Sequence, residues 1–170
     1  MSLEPVQVFP NKGQGHAEYM EMALKQATIA FETDEIPIGA VVVENGTIIG
    51  RGFNQRETLK DPTAHAEMIA ITAVANTRGD WRLNDSVLYV TKEPCPMCAG
   101  AIVNSRMKMV VFGCYDEQEG CCGSLYQNMW GSSFWNQSSR QRWNIRRKMP
   151  QIDSRFLSVE TNNKLVDWFR

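Results

Sequence analysis

Histidine is almost missing from this chain: only His16 and His65 occur in 170 residues, so a metal site that needs imidazole has two candidates. Long apolar runs are missing too. No stretch approaches the roughly 18 residues that a membrane span requires, and Met1 to Pro10 lacks the basic start and apolar core of a secretory signal. These absences make the cytoplasm the expected address and exclude a membrane partner. A disulfide framework is also unexpected, because the five cysteines are odd in number and two of them form a C-x-x-C. In a reduced compartment that spacing reads more naturally as metal binding. Hydrophobic residues at 43% and charged residues at 22% leave no room for a disordered, collagen-like or coiled-coil class. The length suits one domain over residues 1–170 with a full core.

The net charge of −1 conceals an asymmetry. Residues 1–137 carry 10 Lys and Arg against 16 Asp and Glu, whereas the remaining 33 residues carry 8 against 3. A basic C-terminal segment on an acidic domain suits an anionic partner, and it equally suits a solvated helix face.

Apolar positions at helical spacing from Ala17 to Phe31 predict an amphipathic helix. Ala40 to Val43 and Thr47 to Gly52 flank Asn45-Gly46, the strongest short hairpin signal. Thr63-Ala64-His65 opens a second helix that fades near Asn76 to Asp80. Strands are expected at Ser86 to Thr91 and Lys108 to Phe112, with a helix between them from Pro94 to about Ser105. Strands alternating with helices predict an α/β sheet with helices on both faces. Met129 to Trp143 reads as a long loop or irregular helix, followed by a strand near Gln151 to Leu157 and a helix over Asn162 to Phe169.

The chemistry concentrates in His65-Ala66-Glu67 and, beginning 27 residues after Glu67, Pro94-Cys95-Pro96-Met97-Cys98. Two cysteines three apart in the first turn of a helix project toward one point, and a histidine at the start of a neighbouring helix supplies a third ligand. Three protein ligands leave one tetrahedral position open, as in catalytic rather than structural zinc. Positive helix ends favour the thiolates that zinc requires. Glu67, two residues past the ligand histidine, is placed to act as general acid and base and not as a ligand. The competing reading is a structural zinc clip or a pair of core thiols. A closed clip normally needs a fourth protein ligand, and neither a second C-x-x-C nor an H-x-x-x-H lies nearby. Cys114, Cys121 and Cys122 are expected to pack, and His16 to be a surface residue.

H-x-E followed by P-C-x-x-C is the signature of the zinc-dependent cytidine deaminase superfamily, and within it the chain resembles the bacterial tRNA-specific adenosine deaminases. Glu35-Ile36-Pro37-Ile38-Gly39-Ala40, Gly52-Phe53-Asn54, Asp61-Pro62-Thr63-Ala64, Leu88-Tyr89-Val90-Thr91, Glu93-Pro94-Cys95 and Met97-Cys98-Ala99-Gly100-Ala101 carry the resemblance. Ser105-Arg106, Val110-Val111-Phe112-Gly113 and Gly123-Ser124-Leu125 continue it, so that it covers residues 16–126 and leaves a divergent segment over 127–170. The resemblance implies a cytidine deaminase-like three-layer α/β/α sandwich with a mixed sheet of about five strands. It also implies one zinc per chain on His65, Cys95 and Cys98, conversion of adenosine to inosine at the tRNA wobble position, and a homodimer. Asn54 would then bind the nucleoside, and Asp116 would lie at the rim where the flanking nucleotide enters, although Cys114-Tyr115-Asp116 departs from the family's small residue and arginine. An asparagine after a strand is also an ordinary turn residue.

In the divergent segment Trp130, Phe134, Trp135 and Trp143 are interleaved with Arg140, Arg142, Arg146 and Arg147. Such a mixture suits RNA, through stacking and phosphate contacts, and it also suits a cap on the core or on a dimer interface. Two other functions compete. Free-base deaminases of guanine or cytosine share both motifs, and Cys-Pro-Met-Cys resembles the guanine enzymes. A non-catalytic zinc-bearing RNA-binding subunit is the other, and it would be expected to lack the carboxylate that Glu67 retains.

Overall fold

A computed structural model describes residues 15–122 and Ser124. The strand predicted near Gln151 to Leu157, the helix near Asn162 to Phe169, the loop at Met129 to Trp143 and the four arginines lie outside the described residues.

Helix α1, His16–Glu32, leads into strand β1, Gly39–Glu44, and strand β2, Thr47–Phe53. Glu44 pairs with Thr47 across Asn45-Gly46, whose φ values of 50° and 79° are those of the tight turn that matches strand twist. A single turn of helix α2, Arg56–Leu59, precedes α3, Ala66–Arg78. Strand β3, Ser86–Lys92, helix α4, Pro96–Asn104, and strand β4, Met109–Cys114, follow. The sheet order is β2-β1-β3-β4, with β1 antiparallel to both β2 and β3 and with β3 parallel to β4. The sheet is therefore mixed, and four strands stand among the described residues where about five are expected.

Both faces of the central strands are buried, as their continuous Val, Leu and Ala runs require. Ala40, Val42, Leu88 and Val90 face Ala66, Ala70, Val74 and Ile102 of α3 and α4. Val41, Val43 and Tyr89 face Tyr19, Met20 and Ala23 of α1. This gives the three layers. The helices sit close to the strand backbone where glycine allows it: a Cβ on Gly52 would stand 2.3 Å from the Ala66 carbonyl oxygen and 2.7 Å from Ala70 N. The seat of α3, and with it the first turn of that helix, is thus set by β2. At the other end α3 stops at Gly79, whose left-handed φ of 70° lets its N–H reach the Ala75 carbonyl.

His16 is exposed at the start of α1, as the sequence suggests. Its Nδ1 lies 2.8 Å from the Tyr89 hydroxyl, and Tyr89 packs in turn on Tyr19 at 5.1 Å between ring centres.

Candidate active site

His65 and Cys95 occupy equivalent places. Each is the N-cap of its helix, His65 for α3 and Cys95 for α4, with extended backbone (ψ 154° and 172°) and no capping bond from its side chain. A residue that does not spend its side chain on the helix end has it free for a ligand. Pro96 at the first helical position fixes the start of α4, since it lacks the N–H that would go unsatisfied there. Cys98, one turn along, is fully buried. The Nδ1 atom of His65 stands 3.7 Å from Cys95 Sγ and 3.5 Å from Cys98 Sγ, and all three donor atoms lie within 4.8 Å of one another.

These distances match a metal. With bonds of about 2.3 Å to sulfur and about 2.0–2.1 Å to nitrogen, two tetrahedral zinc ligands stand about 3.6 Å apart. The two thiols are strongly coupled. The hydrogen bond from Cys98, helped by His65, brings the Cys95 thiol down to about 4. Cys98 moves up, because Cys95 takes its proton as a hydrogen bond and burial opposes a second charge. The pair by itself thus holds one thiolate and one thiol, and a zinc ion held by His65, Cys95 and Cys98 would let both sulfurs ionise. His65 is raised by its hydrogen bond to Cys95.

Glu67 lies in the first turn of α3 and is 4% exposed. Burial raises its carboxyl above the usual range, and the neighbouring Cys95 charge adds to this. A carboxyl raised in this way holds a proton more readily than a free one, as a group that both takes and returns protons requires.

Asn54 follows β2 directly and is 2% exposed. Its backbone N–H bonds the Ile38 carbonyl, and its Nδ2 donates to Glu35 Oε2 at 3.0 Å. Glu35 also accepts from the N–H groups of Thr58 at 2.6 Å and Glu57 at 3.2 Å. Burial works against the Glu35 charge, yet these bonds together hold its carboxyl below the usual value.

Asp116 is 7% exposed and pairs with Lys92 Nζ at 2.9 Å, while its Oδ1 accepts from Gln118 N. Its own N–H bonds Glu93 Oε2 at 3.0 Å. Glu93 is buried and accepts as well from Cys122 N, Ser124 N and Ser124 Oγ. One carboxylate two residues before Cys95 therefore ties Asp116, Cys122 and Ser124 to the start of α4. Cys121 and Cys122 pack with Ala99 of α4 beneath the turn from Asp116 to Ser124.

Glu35 and Glu93 are the two residues that a search for chemistry in the sequence passes over. Both stand out there only as members of motifs, Glu35-Ile36-Pro37 and Glu93-Pro94-Cys95. Local sequence offers no other signal, because Glu35 follows Asp34 and Glu93 follows Lys92, the neighbours of an ordinary exposed glutamate.

Fold and site together define a zinc-dependent deaminase of nucleobases. Residues 14–114 match the cytidine and deoxycytidylate deaminase zinc-binding region. A tRNA-specific adenosine deaminase of Streptococcus pyogenes is 47% identical over 152 residues, 89% of this chain and 88% of that protein. A second, from Bacillus subtilis, is 54% identical over 107 residues, 63% of this chain and 66% of the relative's own length. Among solved structures, one from work on A-to-I editing by tRNA:A34 deaminases superposes with a TM-score of 0.61 at 44% identity, covering 62% of this chain and 82% of that one. A guanine deaminase from Bacillus subtilis gives 0.60 at 30% identity, covering 85% and 92%. The chain belongs to the cytidine and deoxycytidylate deaminase zinc-binding family, in the branch whose bacterial members are named tRNA-specific adenosine deaminases.

Proposed function

We propose that the protein hydrolyses adenosine to inosine at the wobble position of tRNA. The observation that carries the reading is the placing of His65, Cys95 and Cys98 at two converging helix starts, with the buried Glu67 carboxyl beside them. Support for the tRNA substrate is the likeness to tRNA-specific adenosine deaminases over most of the chain's length.

The reaction adds water to C6 of the purine and releases ammonia. Zinc, when bound by the three residues, supplies the Lewis acidity that brings the pKa of water from 15.7 to about 7. Glu67 takes one proton from the attacking water and passes it to the ring nitrogen next to C6, then takes the second from the hydroxyl formed at C6 and delivers it to the amine, which leaves as ammonia. Its raised pKa suits both directions of transfer. Asn54 hydrogen-bonds the bound nucleoside, and Asp116 lies at the rim for the flanking nucleotide. The basic segment with Arg140, Arg142, Arg146 and Arg147 contacts the RNA backbone.

The protein acts as a homodimer in the cytoplasm. The likeness to the family supports a partner copy, and five free cysteines suit a reducing compartment. Among the described residues no helix is long and apolar enough to cross a membrane.

The test follows ammonia release from an adenosine-containing anticodon stem-loop, free adenosine, guanine and cytosine. Turnover of the stem-loop far above the others is the expected result. Turnover of guanine alone would transfer the reading to the free-base enzymes, to which the guanine deaminase structure gives weight.

A further inference from the structure

We infer that Glu35 is a positioning residue for the substrate, acting by fixing which way the side-chain amide of Asn54 is turned. The inference rests on the reading of Asn54 as a nucleoside contact.

An amide side chain has nearly the same shape in its two orientations, so its neighbours decide which end is oxygen. Here the neighbour is an ionised carboxylate, which can only accept. Glu35 Oε2 therefore takes an N–H from Asn54 Nδ2 and turns Oδ1 away. Glu35 is itself held in place. The N–H groups of Glu57 and Thr58 belong to the first turn of α2, and Gln55, the N-cap of that helix, offers no side-chain bond to them. Such donors are unsatisfied at a helix start unless something outside the helix meets them. The carboxylate does so from the connection between α1 and β1, joining that connection to the end of β2 and the start of α2. Asn54 is fixed through its backbone as well.

After this exchange the Asn54 side chain retains one N–H and its oxygen, and neither makes a bond to any described residue. A nucleoside is the matching partner, because it carries ring nitrogens that accept and hydroxyls that donate. Reversing the amide would set donor against donor and acceptor against acceptor. The proton transfers of Glu67 are left as they were, so the consequence falls on binding.

Glu35→Gln is the informative change. With Nε2 in the place of Oε2, glutamine keeps an oxygen for Thr58 N–H, gives up the bond from Glu57 N–H, and draws Asn54 Oδ1 toward its own donor. KM for the stem-loop should rise about tenfold, the cost of a mismatched hydrogen bond, with kcat within about twofold of the parent and zinc still stoichiometric. Asn54→Ala should raise KM by a similar factor. The double variant should then be no worse than Asn54→Ala alone, because Glu35 has nothing left to orient. A double variant that multiplies the two losses, about a hundredfold, would show that Glu35 acts elsewhere and overturn the inference. So would an unchanged KM in either single variant, or a fall confined to kcat. Should Glu35→Gln fail to fold, Glu35→Asp carries the same cycle, since it retains the charge and withdraws it from Asn54 by one methylene. If the parent protein deaminates guanine and not the stem-loop, the tRNA reading fails while the cycle, run on guanine, still decides the role of Glu35.

Discussion

Replacing Gly52 by alanine should move the chemistry without touching a chemical residue. The added Cβ would lie 2.3 Å from the Ala66 carbonyl oxygen, 2.7 Å from Ala70 N and 3.1 Å from Ile69 Cβ, where ordinary contact begins at 3.4 Å. The atoms in the way are mostly helix backbone and cannot rotate aside, so α3 must lift from β2 by about 1 Å. Overpacking of this kind costs about 1–3 kcal/mol. For a chain of this size that corresponds to a fall in melting temperature of about 2–12 °C. The displaced turn also carries His65 and Glu67, and zinc bonds tolerate only about 0.2 Å of error. Zinc affinity should therefore drop along with stability. Gly100→Ala is the control: it lies inside α4 with nothing within 4 Å of its would-be Cβ, and there alanine should stabilise by about 0.5–1 kcal/mol through helix propensity. Thermal unfolding of zinc-loaded and chelated proteins, with zinc titration of each, reads both effects. If Gly52→Ala melts within about 1 °C of the parent and binds zinc as tightly, β2 does not set the position of the site and the reasoning is wrong.

Glu67→Gln should keep zinc and fold while turnover falls by at least about 10²- to 10⁴-fold; activity within about tenfold of the parent would remove the proton-transfer role. Chelation of zinc from the parent should lower its melting temperature, since a metal bound only by the native state stabilises by mass action, and a scan with and without chelator shows this. The Glu35 carboxyl is held below its usual 4.5 in the folded protein. Its contribution is therefore complete above that pH and is lost as pH falls through the lower folded value; urea unfolding across the acid range should show a steeper loss in the parent than in Glu35→Gln. Replacing Arg140, Arg142, Arg146 and Arg147 by alanine should weaken stem-loop binding and flatten its salt dependence by about 0.7–0.9 for each phosphate that is no longer neutralised, and identical slopes would separate this cluster from RNA.

The metal centre is legible in the sequence because its determinants are local. His65 and Glu67 are two residues apart, Cys95 and Cys98 three, and helix geometry converts those spacings into direction. The hairpin at Asn45-Gly46 and the alternation of strands with helices are legible for the same reason. Helix α2 escapes such a reading because four residues are too few for a 3.6-residue period to declare itself. The residue pattern sets two helix starts too early, at Thr63 and Pro94 instead of Ala66 and Pro96, since the cap residues His65 and Cys95 are not typical cap formers. The contacts of Glu35 with Asn54 and of Glu93 with Ser124 join residues 19 and 31 apart. Bonds of that kind follow from tertiary packing, which no short-range pattern encodes.

The bonds to Glu93 divide the labour within the turn from Asp116 to Ser124. Its backbone is held by a carboxylate from outside the turn, while the side chains of Glu117, Gln118 and Glu119 project into solvent. Mutation at those three positions therefore leaves intact the frame that joins the turn to the zinc helix. Surface charge in this turn can therefore change while the metal ligands stay where they are.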